Sequence, residues 1–225
     1  MGYQRKTGRN VFIELTDEAA YWLGFLMADG CVVQGHSTRY VRLELAALDK
    51  EHIHKFKSFL RTTNKIYERT KPNGLVSYSV MVGNNELVDT LISYGIDFRK
   101  SLTATASDKL TNNSHFWRGL LDGDGSLYIG KNYAKSRSSN IYPHLIINGS
   151  MNLMNQFLTF AKTHSDFNGN VFWSGSIWRV NLKGQNAYKI LSLLYQNAST
   201  YLDRKYEKAQ QILILNKDKY DSQYI

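Results

Sequence analysis

The chain has 225 residues, 43% of them hydrophobic, and 28 Lys and Arg against 19 Asp and Glu give a net charge of +9. That length suits one large domain or two small ones, and the basic balance points to a polyanionic partner, because Lys and Arg gain by displacing counterions from phosphates. A single cysteine, Cys31, excludes an internal disulfide and fits a reducing compartment, and no signal peptide or apolar run of roughly 18 residues argues for secretion or a membrane span.

Residues 1–15 form a basic arm. Thr16 or Asp17 caps a first helix that runs through YWLGFLMADG at 21–30. Strands over 31–34 and 39–48 follow; in the second, Val41, Leu43, Leu45 and Ala47 alternate with Tyr40, Arg42, Glu44 and Ala46, a period of two. Asp49 caps a helix to about Leu60. Residues 66–70 and 75–82 make a hairpin around Lys71-Pro72-Asn73-Gly74, and 84–94 is a third helix. The order then repeats. Asn113 or Ser114 opens a helix through FWRGLLDGDG at 116–125, and strands follow at 126–130 and 144–148. Ser150 opens a helix to about Lys162, a hairpin at 171–174 and 177–182 turns at Gly175, and helices over 185–195 and 201–215 close the chain. The halves are 16–112 and 113–225.

The two decapeptides are the strongest signal. Gly24 and Ala28 precede Asp29 as Gly119 and Gly123 precede Asp124. Small residues four apart share one helix face, so each helix carries a smooth stripe that lets two backbones approach closely, as documented best in membranes. Gly30 and Gly125 suit the left-handed position that ends a helix. Asp29 and Asp124 then fall at helix C-termini, where an anion is unfavourable by roughly 0.3–1 kcal/mol. Breaking that local rule twice in the same way calls for a functional reason. A divalent cation supplies one, since carboxylates and terminal helix carbonyls are hard oxygen ligands.

These segments resemble the LAGLIDADG motifs of homing endonucleases in the monomeric, two-repeat form, over about residues 16–215. The resemblance implies an α+β fold of two αββαββα half-domains related by a pseudo-twofold axis. Their two antiparallel four-stranded sheets form a saddle over the DNA major groove, with the paired motif helices at the centre. It also implies a metal-dependent double-strand break with short 3′ overhangs at a long, partly asymmetric target. Asp29 and Asp124 would bind Mg²⁺, assisted by the carbonyls of Ala28 and Gly123; Mn²⁺ should substitute, and Ca²⁺ should support binding without cleavage. An earlier acidic residue often found in the motif is Asp122 in the second copy, where the first has Met27.

A second repeated signal closes each half: Asp97-Phe98-Arg99-Lys100 and Leu202-Asp203-Arg204-Lys205. The resemblance implies that a basic residue here reaches the active site, a role assigned to Lys100 and Lys205, while Arg99 and Arg204 would touch phosphates. It also implies a polar residue at the base of the second strand that orders water; Asp49 and Ser150 occupy that place, and both also read as helix caps. Side chains on a strand face can read base edges. The candidates are Gln34, His36, Arg39, Tyr40, Arg42, Glu44, Arg69 and Tyr78 in the first half, and Tyr128, Lys131, Asn132, Arg137, Arg179 and Asn181 in the second.

Other signals carry less. Asp122–Ser126 lacks the later Gly and terminal Glu of a calcium-binding EF-hand loop, His52 and His54 have no partners at zinc spacing, and there is no Gly-rich phosphate loop. Trp22, Phe25, Phe116, Trp117, Phe172 and Trp178 read as packing residues. The expected partner is double-stranded DNA, bound by a monomer with no membrane association. Two rival readings are an RNA maturase acting on an intron and a catalytically idle DNA-binding regulator. An intracellular site is expected, and abundant Lys, Asn, Tyr and Ile point to an organelle or a bacterial cytoplasm.

Overall fold

The computed structural model describes residues 9–98, 103–132 and 140–221, with the side chains of Asn132, Asn140 and Asp221 left aside. Helix α1 (Asp17–Asp29) leads into β1 (Gly30–Gln34) and β2 (Arg39–Ala46); after a 3₁₀ turn over Ala47–Asp49 come α2 (Lys50–Phe59), β3 (Tyr67–Thr70), β4 (Val76–Gly83) and α3 (Asn85–Ser93). A short α4 (Asp108–Thr111) connects the halves. The second half then runs α5 (Ser114–Asp124), β5 (Ser126–Asn132), β6 (Asn140–Gly149), α6 (Met151–His164), β7 (Phe172–Trp173), β8 (Trp178–Lys183) and α7 (Gly184–Tyr195), before the terminal α8 (Asp203–Asp221). Two antiparallel sheets result, ordered β1-β2-β4-β3 and β5-β6-β8-β7. The fold is α+β, and each half has the expected αββαββα order.

Local chemistry explains the helix starts. Thr16 accepts from the Ala19 amide, Asn84 from Leu87, Asn113 from His115 and Phe116, and Ser150 from Leu153, each satisfying amide groups that have no partner inside the helix. Asp49 makes no side-chain cap bond to α2, contrary to its sequence reading, because its carboxylate is engaged elsewhere. Gly30 (φ −75°) and Gly125 (φ −92°) are extended rather than left-handed. Each helix passes straight into a strand, and what glycine supplies is room: a Cβ would lie 2.7 Å from the Leu26 carbonyl oxygen and 2.5 Å from that of Leu121.

The inner face of each sheet packs on its helices. Val41, Leu43, Leu45, Val80 and Val82 point inward in the first half, and Leu145, Ile147, Val180 and Leu182 in the second. These side chains join α1, α2, α3, α5, α6 and α7 in one continuous core. Trp22, Phe25, Phe116 and Trp117 are buried in it, whereas Phe172 is exposed beside Arg179 at a sheet edge.

At the centre, α1 and α5 touch backbone to backbone. A Cβ at Gly24 would lie 1.9 Å from the Phe116 carbonyl oxygen, and one at Gly119 would lie 2.0 Å from that of Tyr21. Alanine normally favours a helix interior over glycine by about 1 kcal/mol, but here the methyl meets backbone that cannot swing aside. Gly24→Ala or Gly119→Ala should therefore destabilise the protein by about 1–3 kcal/mol, lowering Tm by about 2–4 °C per kcal/mol. Thermal unfolding followed by circular dichroism checks the sign, since a rise in Tm would mean the helices stand further apart.

Candidate functional site

The helix contact continues to the motif aspartates. A Cβ at Gly123 would lie 2.4 Å from the Ala28 methyl and 3.1 Å from Asp29 Oδ2. The Asp29 carboxylate therefore lies against α5 at the residue just before Asp124. Both aspartates are exposed and end their helices, where neither helix has a basic residue in its last turn. The small residue at position 123 is what leaves the Asp29 carboxylate its place.

A basic residue from elsewhere offsets the α5 terminus. Lys205, at the start of α8, is buried and donates to the carbonyl oxygens of Gly125 and of Leu121, the latter at 3.3 Å. A cation at these last carbonyls opposes the partial negative charge of the helix end. Burial lowers the Lys205 pKa, while Asp122, Asp49 and Asp29 pull it back up. The matching Lys100 and Arg99 lie outside the described residues.

A buried polar network fixes α8 in this place. Asp122 is fully buried and accepts from the Tyr21 hydroxyl (2.9 Å), the Tyr195 hydroxyl and the Leu202 amide (2.8 Å). Burial raises its pKa, and the three hydrogen bonds work against that rise. One turn earlier, Arg118 donates to the carbonyls of Thr200 (3.0 Å) and Leu194 (2.9 Å). Asp122 and Arg118 thus hold the segment between α7 and α8. The first copy has Met27 and Leu23 at the same motif positions, so this anchor belongs to one half only.

The two halves are also pinned through α8. Arg204 pairs with Asp49 through two bonds of 2.8 and 2.9 Å. Lys55 pairs with Asp203 at 2.5 Å and donates to the Tyr201 carbonyl at 3.2 Å. These contacts bear on two assignments. Asp49, expected to cap α2 or order water, makes no cap bond and pairs instead with Arg204 from the other half. Ser150 caps α6 as read, its hydroxyl accepting from Leu153, and also donates to the Ala104 carbonyl; burial keeps it from solvent. Arg204, in turn, is held by Asp49 through Nε and Nη2.

Strand register sorts the proposed base readers. On the first sheet, Tyr40, Arg42, Glu44 and Arg69 occupy the face away from the helices, in register with Gly83, Met81, Ser79 and Ser77. Arg42 and Glu44 are ion-paired there, and Glu44 accepts from the Ser77 hydroxyl at 2.7 Å. His36 is exposed in the β1–β2 turn. Three residues fall on the helix side instead. Arg39 shares parity with Val41 and pairs bidentately with Asp89 of α3 at 2.6 and 2.9 Å. Gln34, its register partner, donates to the Gly35 carbonyl. Tyr78 is opposite Leu45, packs on the core with Lys50 over its ring, and donates to Glu68.

On the second sheet Tyr128, Arg179 and Asn181 are on the open face, while Lys131 pairs with Ile141 on the helix side and is exposed. Arg137 and the Asn132 side chain lie outside the described residues. Two further open-face residues escaped the sequence reading. Asn148 donates to the Asp124 carbonyl at 2.7 Å and accepts from Arg179 Nε at 2.8 Å, tying the sheet to the motif. His144 lies between Tyr128 and Asn181. Both alternate with Leu145 and Ile147, which is the signal that could have found them.

Whether a divalent cation fits can be judged from the donors. Among the described residues no group of three His, Cys, Asp or Glu side chains is clustered for a metal. Mg²⁺ does not need one, since it is commonly held by one or two carboxylates with waters and substrate phosphates. Exposed Asp29 and Asp124 match that requirement, and the absence of a side chain at Gly123 leaves room for the Asp29 carboxylate against α5.

Comparison with known proteins gives the class. Residues 16–98 match the LAGLIDADG-like domain. The chain is similar in fold to the LAGLIDADG meganuclease I-AabMI bound to uncleaved DNA, at TM-score 0.62 and 14% identity, covering 88% of this chain and 91% of that one. It is similar also to the I-LtrWI LAGLIDADG homing endonuclease bound to target DNA (0.63, 13%, 91% and 92%) and to I-SmaMI bound to uncleaved DNA with calcium ions (0.61, 11%, 92% and 93%). Comparison with curated proteins gives no match. The protein therefore has the two-repeat LAGLIDADG meganuclease fold, with a LAGLIDADG-like domain as its first half.

The network beside the site has a pH signature. His52 is buried, with Nε2 2.9 Å from the Tyr21 hydroxyl. Burial first, then Lys55 and Arg204, lower its pKa to about 3. Since the folded value is below the unfolded one, His52 contributes stability above pH ~6.5 that is lost as pH falls toward 3. Urea unfolding between pH 7 and 4 should show wild type losing up to about 1.4 kcal/mol per pH unit more than His52→Phe. Parallel pH profiles would mean that His52 is solvated in the folded protein.

Proposed function

We propose that this protein is a site-specific DNA endonuclease that cuts both strands of a long, partly asymmetric duplex target, acting as a monomer with Mg²⁺. The observation that carries the reading is the pair of motif aspartates at the ends of two helices in backbone contact, between two sheets whose open faces carry Arg42, Tyr40, Arg179 and Asn181. The DNA-bound state of the similar meganucleases and the +9 charge support a duplex partner.

In this reading Asp29 and Asp124 hold the cation, with the Ala28 and Gly123 carbonyls beside them. When bound, Mg²⁺ would polarise the phosphate oxygens and acidify an attacking water. Asn148 fixes the end of α5 by its bond to the Asp124 carbonyl. Lys205 adds positive charge behind that end, opposing the charge that builds on the phosphate during displacement. The open sheet faces set the register of the duplex, and the products would carry short 3′ overhangs. Mn²⁺ should replace Mg²⁺, and Ca²⁺ should allow binding without cutting.

The test is cleavage of a randomised duplex library in Mg²⁺, with the ends sequenced. Wild type should cut one long motif, and Asp29→Asn and Asp124→Asn should each lose cleavage by at least about a thousandfold while binding the same motif in Ca²⁺. If Asp124→Asn still cuts both strands, the carboxylate assignment is wrong; selective binding without cutting by wild type would make the protein a regulator.

A further inference from the structure

One row of the open sheet faces repeats between the halves. In the first sheet Glu44 of β2 is in register with Ser79 of β4, and Ser79 with Tyr67 of β3. In the second, Asn148 of β6 is in register with Arg179 of β8, and Arg179 with Phe172 of β7. The rows are equivalent. Cys31 and Ser126 each follow a motif aspartate by two residues and pair with Arg42 and Ile146, and Glu44 and Asn148 lie two residues further along. Glu44 and Asn148 differ in chemistry, as do Ser79 and Arg179. The outer position is aromatic in both halves, on the edge strand of each sheet.

Both rings face solvent. Tyr67 is 59% exposed and Phe172 42%, and neither joins the continuous core. An aromatic side chain left in water forgoes the gain of burying its ring, and here that happens twice at one register. Each ring also adjoins a cation on the same face: Phe172 is in register with Arg179, and Tyr67 shares its face of β3 with Arg69. Arginine suits the phosphates of a duplex but does not cover an apolar ring from below. What the rings lack is an apolar partner on the duplex side.

The Phe172 side chain carries no donor or acceptor, so it reads no hydrogen-bonding pattern. Among the base edges of the major groove the thymine 5-methyl is the apolar group, and a phenylalanine ring is one of the side chains that contact it. We infer that Phe172 and Tyr67 are specificity-determining residues whose rings pack on thymine methyl groups at equivalent base pairs in the two halves of the target. The ring is the shared element, and the Tyr67 hydroxyl is dispensable for this contact. A target that is asymmetric elsewhere, where Glu44 faces one half and Asn148 the other, then keeps thymine at matched distances on either side of its centre.

This inference rests on the reading of the protein as a binder of duplex DNA. Its test is selection of bound duplexes from a randomised library in Ca²⁺, for wild type, Phe172→Ala, Tyr67→Ala and Tyr67→Phe, with thermal melting of each variant. Phe172→Ala and Tyr67→Ala should each relax a thymine preference at one base pair, the two pairs lying at equal distances from the centre of the motif. Tyr67→Phe, which keeps the ring, should keep the preference. Uracil then replaces thymine at these pairs in the duplex that wild type selects; it retains the hydrogen-bonding edges and lacks only the 5-methyl. Wild type should bind each uracil duplex about fourfold more weakly than the thymine form. Phe172→Ala should bind the two forms equally at its own position, and Tyr67→Ala at its own. With the motif intact, equal binding of thymine and uracil duplexes by wild type would overturn the inference. So would a base other than thymine at the relaxed pairs, or folded Phe172→Ala and Tyr67→Ala proteins whose selected motifs are unchanged. Failure of wild type to enrich any motif would instead overturn the duplex reading itself, and this inference with it.

Discussion

Two helices can lie backbone against backbone only where side chains are missing, and that constraint organises this molecule. Gly24 and Gly119 supply the gap at the level of the Phe116 and Tyr21 carbonyls, and Ala28 and Gly123 extend it to the helix ends. Closing the gap carries Asp29 to the flank of α5 beside Asp124. It also sets each sheet directly after its motif helix, because Gly30 and Gly125 are already extended, Gly30 beginning β1 and Gly125 immediately preceding β5. The two motif carboxylates and the two open sheet faces are thus positioned by one packing contact.

The contact would be poorly defended if the halves met only there. Asp49–Arg204 and Lys55–Asp203 join the first half to the start of α8, while Gln156 of α6 bonds both polar backbone groups of Ala106 in the connecting segment. Each half therefore grips the chain that leaves the other. The buried Arg118 and Asp122 add a one-sided anchor, and its effect reaches the site by fixing where Lys205 enters. Pseudo-symmetry is kept in the backbone and broken in the side chains, both in this anchor and across the sheet faces.

Much of this was legible in the sequence because the physical causes are local. Small residues four apart announce a close helix contact, and Asn113, Thr16 and Ser150 announce caps. The face of each strand residue was legible too. Arg39 keeps step with Val41 and Leu43, Tyr78 with Val80 and Val82, and Lys131 with Leu127 and Ile129, so strict alternation places all three on the helix side despite their polar ends. The role of Asp49 was not legible, nor was the second bond of the Ser150 cap, because their partners, Arg204 and Ala104, lie 155 and 46 residues away. A carboxylate or hydroxyl before a helix looks the same in sequence whether it caps that helix or grips a distant strand of chain.

The central claim is that the helix contact builds one cation site from two aspartates. Mn²⁺ uptake, followed by electron paramagnetic resonance on the protein bound to a duplex selected in Ca²⁺, tests it most directly. Wild type should take up Mn²⁺ in the complex, and Asp29→Asn and Asp124→Asn should each weaken that uptake, since neither half holds the site alone. Uptake unchanged by either substitution would contradict the account.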